Sequence, residues 1–288
     1  MNFIKIQDKT ELLSYMQKFE EKGHHVIALD IEAESNLHAY GERLCLVQIF
    51  DGVDCVLIDP FKISSRNLKV LFENKNVLKV MYDAGSDSSL LKNAANIELH
   101  SVLDLRVAVE LLDYSKKDLH SVVSAELGIV LENKRKYQKY NWTKRPLSED
   151  ALQYAMDDVL HLLILKDLIM AKLYARKLLE PFLLKNLQIQ TKNYTRDPED
   201  KYRKMPGYSR LDEEKKDTFR KVFDVREKFA KLHNVPPHNL IHKGDVINIV
   251  DDPLYIDQIR FTRKLRGEMV QAIISELKSA VKISVIQA

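Results

Sequence analysis

Hydrophobic positions along the chain fall into two regimes. In the first 110 residues they form short β-branched or apolar runs, Val26 to Ile31, Leu44 to Phe50, Cys55 to Ile58 and Leu78 to Tyr82, that read as strands. Lys9 to Lys22 and Ser86 to Asn93 instead have helical spacing, and Asp51-Gly52 marks a hairpin turn between two of the strands. This alternation predicts a mixed sheet with covering helices. From Leu103 to about Leu179 the pattern is almost wholly helical, and Ser148-Glu149-Asp150 opens a helix after Pro146. Residues 194–208, YTRDPEDKYRKMPGY, hold two prolines, a glycine and mixed charges, the composition of a linker. Beyond them Leu211 to His233 and Gln258 to Ser279 read as amphipathic helices, with Pro236-Pro237 in between. The expected organisation is a domain over 1–193, a linker over 194–208 and a helical domain over 209–280.

Composition narrows the class. The 8 glycines in 288 residues lie at least eleven positions apart, which excludes G-x-G-x-x-G and G-x-x-x-x-G-K-[ST] loops. No nucleotide cofactor is therefore expected. With 45% hydrophobic and 30% charged residues the chain can build a full core. Apolar stretches such as Val159 to Leu165 stop well short of the ~18 residues a membrane span needs. The N-terminus MNFIKIQDKT lacks a signal-like apolar region, so a cytoplasmic protein without a membrane partner is expected. Cys45 and Cys55 lie in apolar runs without a C-x-x-C and read as buried thiols.

The net charge of +3 hides an asymmetry. Residues 1–100 carry 11 Lys+Arg against 15 Asp+Glu, residues 101–200 carry 16 against 15, and residues 201–288 carry 18 against 12. The front is acidic and the rear basic, a distribution suited to holding cations at one end and polyanions at the other.

Asp30 and Glu32 close the apolar strand VIALDIE. At i and i+2 they project from one face, where paired carboxylates need cations or protons to offset their repulsion. Two other D-x-E pairs, Asp197/Glu199 and Asp212/Glu214, have ordinary readings as solvated charge and helix capping. Tyr154 and Asp158 share a face at i, i+4 inside LQYAMDDVLHLLIL, with Asp157 read as a surface position. The same spacing in Tyr114/Asp118 and Tyr208/Asp212 straddles expected helix starts. Asp87 follows a strand at the first turn of a helix, a place that favours an acid for its own sake, and Asp83 competes with it. The ordered set of D-x-E, later Asp and later Y-x-x-x-D gives Asp87 a second reading as a ligand.

The segments LDIEAESNLHAYGERLCLVQIF, KVMYDAGSDSSLL, NWTKRPLSEDALQYAMDDVLHLL and, more weakly, LHSVVSAELGI resemble the exonuclease motifs of ribonuclease D, over roughly residues 3–180. The resemblance implies a DEDDy-type 3′-5′ exonuclease with a ribonuclease H-like α/β fold. It assigns Asp30, Glu32, Asp87 and Asp158 as metal-binding carboxylates and Tyr154 as the catalytic tyrosine. Tyr82 departs from the family, where many relatives carry His; it lies outside the metal-binding set. Oxygen-only donors suit Mg²⁺ or Mn²⁺. Two such ions about 3.5–4 Å apart would clamp the scissile phosphate, one activating water and the other stabilising the departing 3′ oxygen. Tyr154 would orient or deprotonate that water, and an ordinary phenol pKa near 10 favours orientation.

KRKYQKYNWTKR, residues 134–145, carries six basic residues, no acidic one and three aromatics. Arg135, Lys136 and Lys139 are candidate phosphate contacts, and Trp142 either stacks on a base or packs into the core. Roughly residues 209–280 resemble an HRDC domain, a small all-α nucleic-acid-binding module, with Arg260, Arg263, Lys264 and Arg266 as its natural contacts. The expected function is a 3′-5′ exoribonuclease trimming RNA 3′ ends, tRNA precursors first, to nucleoside 5′-monophosphates. A 3′-5′ exonuclease on single-stranded DNA is the alternative; a non-catalytic RNA-binding protein belongs to a different class.

Overall fold

The computed structural model describes residues 3–131, 134–261 and 265–281, with backbone alone at 134 and 135. Two compact units emerge, Met1–Glu34 with Glu42–Thr195, and Ser35–Gly41 with Arg196–Ala288.

The first unit opens with β1 (Ile4–Ile6), α1 (Lys9–Glu21), β2 (Val26–Ser35), β3 (Glu42–Phe50), β4 (Cys55–Ile58), α2 (Ser65–Phe72), β5 (Leu78–Met81), α3 (Ala84–Ala95) and β6 (Val102–Asp104). The six strands form one mixed sheet in the order β1-β4-β3-β2-β5-β6. β1 runs parallel to β4, β4 antiparallel to β3, and β5 lies between β2 and β6 and runs parallel to both. Helices follow as α4 (Leu105–Leu111), α5 (Leu119–Leu127), α6 (Lys134–Tyr137), α7 (Glu149–Leu160), α8 (Leu162–Ala175) and α9 (Leu179–Thr191).

Alternation along β2 decides which residues face which core. Ile27, Leu29 and Ile31 enter a core shared with α1, α2 and α3, whereas Ala28 enters the one filled by Ala155, Met156 and Val159 of α7. Asp30 and Glu32 continue the Ala28 row, so the strand that anchors the sheet presents its acids on the α7 side. Parallel pairing of Ala28 with Val80 brings Asp30 level with the end of β5, from which α3 starts. Ser148 caps α7 by accepting from the amide of Ala151 at 3.3 Å.

The second unit contains α10 (Asp200–Arg203), α11 (Glu213–Leu232), α12 (Lys243–Asp251) and α13 (Gly267–Ala280), joined by short 3₁₀ turns. Its core centres on Phe219, Val222, Ile249, Ile273 and Leu277. α12 is not expected from the sequence pattern, and the helix expected over Gln258 to Ser279 is a 3₁₀ turn ending at Gln258 followed by α13. Residues 194–208 are more folded than their linker composition suggests. Tyr202, Met205 and Tyr208 are buried in the helical core, and a Cβ on Gly207, at φ +83°, would come within 2.9 Å of Ile247 Cδ1. The glycine there permits a close approach in a left-handed turn.

Cys45 and Cys55 are free and buried, and burial pushes the Cys45 thiol up to about 12. Among the described residues, no helix is long and apolar enough to cross a membrane.

Candidate active site

Asp30 and Glu32 on β2 meet Asp158 on α7. Each offers a carboxylate oxygen, and these lie within 4.8 Å of one another. The group keeps some contact with solvent, yet the protein around it desolvates the charges. Asp30 is held well above the usual carboxylate range by burial first, then by Asp87, Asp158 and Glu32. Glu32 is raised by burial, then by Asp158 and Asp87. Two full negative charges at such a separation repel by about 3–4 kcal/mol at an effective dielectric of 20. The cluster is a site built for positive charge or protons.

Asp87 stands outside the 4.8 Å group, in the first turn of α3, close enough for its charge to act on both β2 acids. Its own carboxyl is raised to about 7, chiefly by burial and then by Asp83 and Asp104. Asp83 occupies the N-cap position at φ +63° without a side-chain capping bond, so the helix start is completed from elsewhere. Asp104, at the end of β6, accepts from the amides of Asp83 and Ala84 at 2.8 and 2.9 Å.

Tyr154 lies one helical turn before Asp158. Its phenol is raised by burial and by Asp158, Glu32 and Asp30, so it stays protonated and can donate a hydrogen bond. The ring is held by aromatic neighbours: Tyr137 stacks on it at 4.7 Å and Trp142 at 6.3 Å between centroids. Asp157 is half-buried and accepts from Gln153 at 2.8 Å, rather than being a plain surface charge.

The other occurrences of both spacings serve as structure. Asp118 and Asp212 cap α5 and α11, accepting from Ser121 and Lys215 amides at 3.2 and 2.8 Å. Asp197 and Glu199 pair with Arg203.

The basic loop divides by exposure. Lys136 and Lys139 are exposed; Lys136 stands 3.9 Å from Asp150 and over the Tyr137 ring. Trp142 is a correction to the expected contacts: at 3% exposure its indole is already covered, with Tyr140 packed edge-on and Tyr154 stacked, and no face remains for a base. Arg145 is likewise committed, binding Asp59 through Nε and Nη2 at 2.8 and 2.9 Å and the Cys45 carbonyl at 2.6 Å. It ties the loop to the sheet. The Arg135 side chain lies outside the described residues, as do Arg263 and Lys264; Arg260 and Arg266 are exposed on the second unit.

Two participants escape sequence reasoning. His120 Nε2 lies 3.2 Å from Asp158 Oδ1, and Tyr137 is the ring that stacks on Tyr154. His120 falls inside the LHSVVSAELGI segment, two residues after the capping Asp118, and that position is its only sequence signal.

A family profile described as 3′-5′ exonuclease matches residues 3–174. A ribonuclease D of Desulfotalea psychrophila is 29% identical over 230 residues, 78% of this chain; the match spans 59% of that relative's length. The crystal structure of Escherichia coli RNase D, described as an exoribonuclease involved in structured RNA processing, superposes with a TM-score of 0.75 at 21% identity, over 98% of this chain and 76% of that one. The catalytic core of RRP6 from Trypanosoma brucei, as a C496S mutant, gives a TM-score of 0.77 at 20% identity, over all of this chain and 81% of that one. At these identities the two structures speak for the fold.

Proposed function

The chain belongs to the 3′-5′ exonuclease family, and from that premise we propose that it is a metal-dependent exoribonuclease that trims RNA 3′ ends, tRNA precursors among them, to nucleoside 5′-monophosphates. The observation that carries the reading is the mutually repelling group Asp30, Glu32 and Asp158, with Asp87 beside it and a protonated Tyr154 one turn away.

The donor set fits hard divalent cations, two of them Mg²⁺ or Mn²⁺, because it is all oxygen and among the described residues no His/Cys cluster competes. Asp30, Glu32, Asp87 and Asp158 would hold them. When bound, such ions neutralise the carboxylates, polarise a phosphoryl oxygen and lower the pKa of water. Tyr154 contributes a fixed O–H. With its phenol held above its ordinary value it orients the attacking water, and does not act as a base. Tyr137 and Trp142 limit the swing of that ring, so its hydroxyl is positioned before substrate arrives. Hydrolysis breaks the bond between phosphorus and the 3′ oxygen, and the phosphate leaves on the released nucleotide.

RNA as substrate rests on the names of the relatives and on exposed cations. Lys136 on α6 and Lys139 in the turn after it can follow a backbone, and the second unit, HRDC-like in sequence, offers Arg260 and Arg266 with Arg263 and Lys264 between them in the chain. The test is a race between a 3′-extended tRNA and single-stranded DNA. Faster shortening of the RNA is expected; faster digestion of DNA would make the enzyme a DNA exonuclease, and binding without shortening of either would make it an RNA-binding protein. In a binding titration of the same RNA at several salt concentrations, Arg260→Ala combined with Arg266→Ala should flatten the dependence of log affinity on log salt by roughly 1.4, two contacts at ~0.7 each. An unchanged slope would remove those arginines from the interface.

A further inference from the structure

His120 is a histidine that neither the carboxylate set nor the tyrosine accounts for. It sits near the start of α5, with a side chain only 13% exposed, and its Nε2 reaches Oδ1 of Asp158 at 3.2 Å. A carboxylate oxygen accepts, so Nε2 carries the hydrogen. The ring centre is 6.4 Å from that of Tyr154. His120 thus stands beside both residues that α7 contributes to the site.

The helix that carries it is fixed at its start. Asp118 accepts from the Ser121 amide at 3.2 Å and from its hydroxyl at 2.7 Å. Tyr82, at the end of β5, donates its hydroxyl to the Lys117 carbonyl at 2.5 Å. Val122 and Val123 are fully buried in the core that α7 also enters. An imidazole on so constrained a turn is preorganised, and the hydrogen bond it gives costs little ordering. The Tyr82 hydroxyl is spent on this anchor.

We propose that His120 is a positioning residue: its Nε2–H holds the Asp158 carboxylate in the orientation in which it faces Asp30 and Glu32 and can take a divalent cation. The proposal rests on the reading of Asp158 as a metal ligand. A carboxylate on α7 without a second partner could rotate about its last bond and away from two repelling acids. The hydrogen bond opposes that rotation. Groups that hold a metal ligand from behind typically contribute 10–100-fold in metal affinity.

The experiment measures Mn²⁺ binding to the full-length protein by the loss of the free-ion paramagnetic resonance signal, alongside the metal concentration that half-saturates RNA trimming. His120→Leu removes the donor; His120→Gln retains an N–H at similar reach; Asp158→Asn controls for the underlying reading. Expected is a 10–100-fold weaker Mn²⁺ affinity in His120→Leu, with turnover at saturating metal largely restored and most of the affinity recovered in His120→Gln. A merely structural role would lower thermal stability in both variants without moving metal affinity in the soluble protein. Unchanged affinity in His120→Leu, or an equal loss in His120→Gln, overturns the proposal while leaving the metal site standing. Unchanged affinity in Asp158→Asn overturns the metal reading itself, and the proposal with it.

Discussion

Asp158→Asn is expected to lower the turnover of RNA 3′-end trimming by on the order of 10³-fold while the protein stays folded. A metal-held transition state draws several kcal/mol from charge stabilisation, and about 4 kcal/mol corresponds to three decades in rate. Asn keeps the shape of the side chain and an oxygen for His120 at the position 3.2 Å away. It removes the charge that repels Asp30 and Glu32, a cause of the raised carboxyls at both. Without divalent ions the variant should therefore be at least as stable to urea as the parent. Inactivity together with retained or increased stability marks a charge kept for function at a cost in stability. A variant that unfolds as it loses activity would place Asp158 in the scaffold instead.

The second large effect is on stability against pH. With divalent ions removed, the protein should become less stable as pH rises from about 4 to about 7. Asp30, Glu32 and Asp87 are held above their ordinary range in the folded state, Asp87 at about 7. The folded state then binds more protons than the unfolded chain, and stability falls with pH across that interval, by about 1.4 kcal/mol per pH unit for Asp87, with Asp30 and Glu32 acting in the same direction. Asp59, Glu73 and Glu126, lowered by Arg145, Lys69 and Lys172 among other contacts, act in the opposite sense, and their stabilisation is lost only in more acidic solution. From Asp87 alone, worth about 2.5 kcal/mol over that range, melting in EDTA should therefore occur on the order of 5–10 °C lower at pH 7.5 than at pH 5. Millimolar Mn²⁺ should restore the difference by binding the folded state alone, and Asp87→Asn should flatten the slope. A melting temperature that rises over the interval in EDTA would contradict the electrostatic description of the site.

The central strands and the acid set were legible because their signals are local. The i, i+2 pair on VIALDIE and the i, i+4 pair on α7 each fix a face, and apolar flanks separate them from decoys that proved to be caps and surface pairs. β1 and β6, three residues each, are too short to show alternation; their identity comes from partners, Ile4 with Val56 and Val102 with Lys79, that are distant in sequence. Trp142 and Arg145 lay in a stretch whose composition suits nucleic acid. Composition cannot show that one is covered by Tyr154 and Tyr140, or that the other is bound to Asp59, 86 residues away. The segment 194–208 has a linker's prolines and charges, yet its tyrosines at 202 and 208 pack into the helical core. His120 had no periodic or paired signal of its own, since its partner lies 38 residues further on.

The most direct test of a metal-dependent 3′-5′ exoribonuclease is to follow a 5′-labelled RNA with the wild-type protein in Mn²⁺ or Mg²⁺, in EDTA, and with Asp158→Asn in Mn²⁺. The prediction is a ladder that shortens one nucleotide at a time from the 3′ end, with nucleoside 5′-monophosphates released, seen only for the wild type with metal. Shortening that persists in EDTA or in Asp158→Asn, or internal cuts in place of the ladder, would contradict it.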